Sequence, residues 1–371
     1  MRLDTRSIDD AFDFLNGKPV QLDEYGEFDV FGSNGKIGLS KEWNHENAII
    51  LGRVGAYCGS VMLCDGRFWA TDNTIVLKAK GSQSLRYWFY RLQNFPIRSF
   101  AGGAAQPLMT HGILRGIDIS VHGDTDVQAR IADILATYDD LIENNRRRMT
   151  LLEESARLLY REWFVRLRFP GHEHTRVVDG APRGWACRLL KDICIEVRET
   201  VSPESMEPDT PYIGLEHIPR RSISLGEWGS VEQVTSSKHR FGSGDILFGK
   251  IRPYFHKVGV AFIDGVASSD AIVIRPIDEL MHGFVLMTVS SDGFVADTAQ
   301  SMKEGSKMPR ADWKQMQAYP VALPPPGLLS TFEGMIQPIL VQLKTLTFTN
   351  QKLRTARDLL LPRLMSGDLT V

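Results

Sequence analysis

The sequence predicts an α+β protein: two similar domains of mixed and antiparallel β-structure with short helices, separated by two long helices that form an antiparallel coiled coil. Three observations carry this prediction. Residues 49–77, "IILGRVGAYCGSVMLCDGRFWATDNTIVL", lie without a gap over residues 246–274, "ILFGKIRPYFHKVGVAFIDGVASSDAIVI". Each copy is followed by a long apolar stripe of helical period. A linker bounded by glycine and proline, around "GHEHTR", separates the first stripe from the second copy.

The two copies are identical at Ile49, Gly52, Tyr57, Val61, Ala70, Ile75 and Val76, seven matches where average residue usage would give about two. Arg53 over Lys250 and Val54 over Ile251 keep chemical type. Both copies read as a strand, a turn, a second strand and a third strand ending in "TIVL" or "AIVI". A single pair of copies means a duplicated domain rather than a solenoid. Further on, "GAAQPLMTHGILRGIDISV" from Gly103 parallels "GSKMPRADWKQMQAYPVAL" from Gly305, with Pro107 over Pro309 and a closing strand in each.

After each closing strand the period changes. From Gln128 to about Arg166 there is neither proline nor glycine, and apolar residues recur in steps of four and three: Ile131, Leu135, Tyr138, Ile142, Asn145, Met149, Leu152, Ala156, Leu159 and Trp163. The tail repeats the pattern with Phe332, Ile336, Ile339, Leu343, Leu346, Asn350, Leu353, Arg357, Leu360 and Leu364. Such heptads describe a helix packed along one partner, and matched stripes after matched domains favour the two helices packing on each other over two unrelated surface helices. One asparagine in each seam costs stability but sets register. Pro338 predicts a kink or a start in the second helix, Pro324–Pro326 mark its approach, and "SGDL" marks its end. The expected organisation is a first domain over 1–125, a long helix over 126–168, a second domain over 169–326 and a long helix over 327–371.

Composition sets the class. At 371 residues, 43% hydrophobic and 24% charged, the chain is long enough for two or more cores. No apolar run approaches the roughly 18 residues that span a bilayer, and "MRLDTRSIDDAFDF" lacks the order of a secretory signal, so a cytoplasmic protein is expected. Cys58, Cys64, Cys187 and Cys194 are not spaced as zinc ligands, and His172 and His174 sit in the linker, so no metal is expected. The net charge of −2 offers no global attraction to a polyanion, but phosphate contact depends on local patches.

Motifs of chemistry are missing. "FGSNGKIG" lacks the spacing and the Ser or Thr of a phosphate loop, and no dinucleotide, zinc-protease or serine-hydrolase signature occurs. No Asn- or Asp-Pro-Pro-aromatic tetrapeptide of an adenine methyltransferase is present, and no Glu-x-Lys tripeptide of a nuclease. Local charge points to binding instead. Residues 236–257, "SSKHRFGSGDILFGKIRPYFHK", hold Lys238, His239, Arg240, Lys250, Arg252, His256 and Lys257, interleaved with Phe241, Phe248, Tyr254 and Phe255, against the single acid Asp245. Basic side chains on strands and turns can contact phosphates and base edges. For Lys250 and Arg53 a core carboxylate is an equally good partner. In the first copy Asn34, Lys36, Lys41 and Asn44 offer a more polar surface, suited to adenine and guanine edges, although Asn34 also fits a plain hairpin turn. Tyr57, Lys307 and Arg310 complete the candidate contacts.

The duplicated "IILGRVGAYCGSV" with "FWATDNTIVL", the central "IADILATYDDLIENNRRRMTLLEESARLLYREWFV" and the closing "RDLLLPRLMSGDL" resemble the specificity subunit of type I restriction-modification enzymes over nearly the whole chain. "PRGWACRLLKDICIEV" resembles the opening of a target recognition domain in that family; the first domain starts at "SIDDAFDF" without the Pro-x-Gly-Trp lead, so its first twenty residues depart from the pattern. The resemblance implies a subunit without chemistry of its own, whose two target recognition domains each read half of a split double-stranded DNA sequence while the paired helices set the gap. It implies two modification subunits as partners, with restriction subunits in a full complex. S-adenosylmethionine, ATP and Mg would reside on those partners, and none on this chain. The contrasting possibilities are a coiled-coil scaffold whose duplicated domains bind protein or small ligands, and a solitary enzyme with an unfamiliar site.

Overall fold

An unbroken apolar run in a strand requires cover on both faces, and the repeated segments meet that requirement twice. The computed structural model describes residues 3–371 apart from 104–105, 179, 234 and 301–308. The chain divides into two units, Met1–Ile142 with Lys352–Val371, and Glu143–Gln351.

In the first unit a six-stranded sheet has the order Phe12–Asn16, Thr74–Ala79, His45–Gly52, Val61–Ala70, Phe28–Gly32, Gly35–Ser40. Its pairs are antiparallel except Phe28–Gly32 against Val61–Ala70. Ile49, Leu51, Ile75 and Leu77 point into a core with Tyr87 and Trp88 of the helix Leu85–Gln93, while Ala48, Ile50 and Val76 point the other way onto Phe68 and Ala70. The second unit repeats the device. Ile246, Phe248, Ile272 and Ile274 share a core with the helix His282–Val289, and Leu247, Ala271 and Val273 share another with Ile213 and Phe241. The strands Ile246–Gly249 and Ala271–Pro276 lie in one five-stranded mixed sheet, and those of Ile213 and Phe241 lie in a second.

Each domain is closed by its own ends. Leu3–Ser7 pairs antiparallel with Asp118–His122 in one, and Ala186–Leu189 with Pro320–Leu323 in the other. A long helix follows each closing strand at once. The central helix, Thr125–Tyr160, is started by the Asp124 carboxylate, which accepts from Asp126 N at 2.8 Å, and it ends in a π-helical turn over Arg161–Val165. The second helix runs from Pro326 to Ser366, and Gly367 takes the left-handed conformation (φ 79°) that terminates it.

Pro338 neither starts nor divides that helix. The start falls at Pro326, where the missing N–H costs nothing. Pro338 is exposed, and buried Phe332, Ile336, Leu340 and Leu343 on either side of it hold the backbone helical against the local loss of a hydrogen bond.

The apolar stripes are the covered faces of both helices, whereas Leu141, Leu151, Leu158, Val341 and Leu359 between them are exposed. Within the first unit Ile131 and Leu135 share a core with Leu364 and Met365, and Asp139 pairs with Arg357 while accepting from Tyr90 Oη at 2.6 Å. Within the second, Trp163 lies against Phe332, with ring centroids 5.8 Å apart, and Asn145 Nδ2 donates to Asn350 Oδ1 at 2.9 Å. Partner numbers fall on one helix as they rise on the other, so the pair is antiparallel in each unit. Ala156, Leu343 and Ile336 complete the buried seam of the second unit, flanked by half-buried Met149, Leu152, Leu159 and Ile339; Leu346 is buried, and Leu353 and Leu360 are half-buried in their turn. Tyr138 is half-buried and Ile142 buried.

Among the described residues no helix is long and apolar enough to cross a membrane. All four cysteines are free thiols, Cys58 and Cys194 buried.

The asparagine pair is testable. Asn145→Ala strands a buried amide on Asn350 and is expected to cost about 1–3 kcal/mol in denaturant unfolding. The double change Asn145→Leu with Asn350→Leu removes both amides and should return stability to the wild-type level or above. A single variant as stable as wild type would show that the pair carries no weight.

Candidate nucleic-acid interface

The phrase "GRVGAY" and its copy "GKIRPY" leave the end of a doubly covered strand and enter a short 3-10 turn, Gly55–Tyr57 in the first unit and Pro253–Phe255 in the second. The same main-chain bonds hold both. Arg53 N donates to Asn73 O at 2.9 Å, and Lys250 N donates to Asp270 O at 2.7 Å. Met109 N donates to Arg53 O at 2.8 Å, matched by Ala311 N to Lys250 O at 2.8 Å; Gly55 N donates to Pro107 O at 3.1 Å, matched by Arg252 N to Pro309 O at 2.9 Å. Val54 bridges Leu108 and Ile251 bridges Arg310. The segments that repeat in sequence thus form one clip built twice. Its first glycine is dictated by close approach: a Cβ on Gly52 would lie 2.4 Å from Tyr57 O.

Each clip ends in an exposed aromatic tip, with Tyr57 59% and Tyr254 52% accessible. The polar residues predicted in the first unit divide. Asn34 is exposed in the hairpin turn before Gly35 (φ 107°). Lys36 and Lys41 are exposed but paired, with Asp29 at 2.6 Å and Asp23 at 2.8 Å. Asn44 is occupied by the main chain of Ala70, donating at 2.9 Å and accepting at 2.8 Å. Among the described residues Arg53 has no carboxylate partner, and its Nε is buried without a hydrogen bond.

In the second unit several residues expected to face nucleic acid face protein instead. Lys238 is buried and donates to Ser236 O at 2.9 Å and Ser236 Oγ at 2.7 Å. His256 is buried and donates through Nε2 to Ser290 O at 2.7 Å. Lys257 bonds to Leu215 O, and Lys250 Nζ donates to Ser269 O at 2.9 Å rather than to any core carboxylate. Burial lowers the lysine values of both Lys250 and Lys257, with Arg220 adding to the effect on Lys257. His239 is pushed down by burial and next by Lys250. Exposed Arg240 and Arg310 pair with Glu199 at 2.9 Å and Asp270 at 3.3 Å. Lys307 lies outside the described residues.

Arg252 remains exposed without an ion pair among the described residues, its backbone left-handed at φ 49°. Its guanidinium lies 5.9 Å from the Phe255 ring centroid, and Arg220 lies over the same ring at 4.0 Å. Arg220 sits outside the basic run 236–257; its only sequence signal is a Pro-Arg-Arg turn, which is common on any surface. Among the described residues no cluster of His, Cys, Asp and Glu could hold a metal. The arrangement offers cations, exposed aromatics and polar turns for contact.

Four buried and half-buried imidazoles predict a pH-dependent stability. Desolvation is the largest cause lowering His256, His239, His122 and His111 below the usual 6.5. The unfolded chain therefore binds protons first, so stability is complete above the ordinary histidine value and is lost as pH falls below it. The denaturant midpoint should drop between about pH 7.5 and 5.5, and His256→Gln should flatten that drop. An unchanged pH profile in His256→Gln would remove this residue from the effect.

Residues 3–154 match the family model of the type I restriction modification DNA specificity domain. The chain is 22% identical over 330 residues to the EcoDI type I restriction enzyme specificity subunit of Escherichia coli, covering 82% of this chain and 73% of that one. It is 21% identical over 293 residues to the MjaIX specificity subunit of Methanocaldococcus jannaschii, covering 74% and 66%. Its fold is similar to the crystal structure of a type I restriction-modification S subunit from M. genitalium, with TM-score 0.64, 16% identity, and 98% and 96% of the two chains covered.

Proposed function

We propose that this chain is a specificity subunit of a type I restriction-modification system, as its likeness to such subunits supports, and that it reads a split duplex DNA target, one half with each recognition domain. The observation that carries this reading is the clip built twice on the same main-chain bonds, with Tyr57 at one tip and Tyr254 at the other. One scaffold that shares a tyrosine but differs beside it, with Gly55 and Ala56 in one copy and Arg252 and Pro253 in the other, is what recognition of two different half-sites needs. The long helices after each domain set the unread gap and dock two modification subunits, joined by restriction subunits in a full complex.

The chain itself performs no chemistry in this reading. The partners bring S-adenosylmethionine and flip the target adenine out of the duplex for N6-methylation, and the restriction subunits use ATP and Mg. The subunit acts in the cytoplasm, where the chromosome lies.

Mapping methylated adenines in DNA from cells with and without this chain tests the reading. A bipartite adenine motif should be present with the chain and vanish without it. Persistence of the same motif in its absence, or methyl transfer by the purified chain alone, would sink the assignment.

A further inference from the structure

Three non-glycine residues with left-handed backbones, Arg221 (φ 56°), Arg252 (φ 49°) and His256 (φ 55°), meet at one place in the second unit. Each such conformation is strained for a side chain with a Cβ and persists only where surroundings impose it. The surroundings here are identifiable. Arg221 N donates to His256 O at 2.9 Å, which ties the Pro219–Arg221 turn to the turn that carries Tyr254. The buried His256 ring is fixed on Ser290 O at 2.7 Å.

The first of these turns is also fastened to the central helix. Buried Glu153 accepts from Ser222 Oγ and Ser224 Oγ, each at 2.7 Å, and Arg157 donates to Arg221 O at 2.6 Å. What this strained assembly presents outward is Arg220 and Arg252 around the half-buried ring of Phe255, at 4.0 and 5.9 Å from its centroid. Neither guanidinium is neutralised by a carboxylate among the described residues, in contrast to neighbouring Arg221, which pairs with Asp292 at 3.0 Å, and Arg310, which pairs with Asp270.

We propose that Arg220 and Arg252, oriented by Phe255, form a clamp for DNA backbone phosphates at the second recognition domain. This rests on the DNA-reading function proposed above and adds residues to it. A guanidinium that stacks on an aromatic face keeps its N–H edge free and loses little further entropy on meeting a phosphate oxygen. The clamp positions the duplex without reading it, because phosphates carry no sequence. The first domain has Gly55 and Ala56 where the second has Arg252 and Pro253, so its turn lacks the Arg252 half of this device. The two domains therefore contribute unequally to the salt dependence of binding.

The test uses the chain assembled with its modification subunits, a duplex carrying the bipartite site mapped by methylation, and a scrambled duplex of equal length. Affinity for each is measured against salt concentration. The double variant R220Q/R252Q should lower the slope of log affinity against log salt by about two, and R220Q alone by about one, with the preference for the mapped site unchanged. R220K/R252K should restore most of the slope, because charge rather than planarity sets it.

A wild-type slope in R220Q/R252Q would overturn the clamp while leaving the DNA-reading function standing. The same holds for a variant whose slope is unchanged but which no longer takes up modification subunits on a sizing column, since the arginines would then be a protein contact. A wild-type complex with no preference between the two duplexes removes the reading and the clamp together.

Discussion

Everything in this chain depends on how each domain closes: a strand near its start pairs with its last strand, so the polypeptide enters and leaves at one spot. In the first unit that spot is held firmly, because His122 N donates to Tyr87 Oη at 2.9 Å, the His122 ring meets the same hydroxyl at 2.9 Å, and Gln128 Nε2 donates to His122 O at 2.6 Å. The helix that starts three residues later inherits its direction from the sheet. In the second unit Leu190 N and Lys191 N donate to Tyr319 O and Gln317 O, at 2.9 and 3.0 Å, extending the closing ribbon. A domain fastened in this way can vary on its outer face without disturbing the helix that leaves it.

That separation is carried by the division between main chain and side chain. The clip uses peptide groups and a close-packed glycine, which any pair of sequences with the right punctuation can share. Its tips differ freely: Gly55 and Ala56 in one unit, Arg252 and Pro253 in the other. Strands buried on both faces supply the rigidity beneath, since neither "AIIL" nor "ILFG" has a face left for solvent.

Much of the fold was legible because its signals are local. A heptad stripe records which face of a helix is covered whatever covers it, and the gapless repeat exposed the duplicated sheet without any knowledge of its partners. Pro338 shows the limit: its cost is local and visible, but the burial of Phe332, Ile336, Leu340 and Leu343 that outweighs it comes from residues distant in sequence. The candidate site was less legible. Counting charges in 236–257 locates a basic segment but cannot say which way a side chain turns, and Lys238 and His256 turn inward to carbonyl oxygens. Arg220 enters from thirty-two residues before Arg252 through a hydrogen bond between main chains, for which no periodicity exists.

The sequence by itself determined the architecture, that is, two copies of one domain, two helices with matched seams, and an asparagine in each, because burial pattern and period are properties of a segment read alone. Tertiary structure alone decided that Asn145 meets Asn350, which basic groups are spent inside the protein, and that two unneutralised arginines share the ring of Phe255. Those outcomes depend on the distance between atoms far apart along the chain, and packing and hydrogen bonding set that distance only when the whole unit folds.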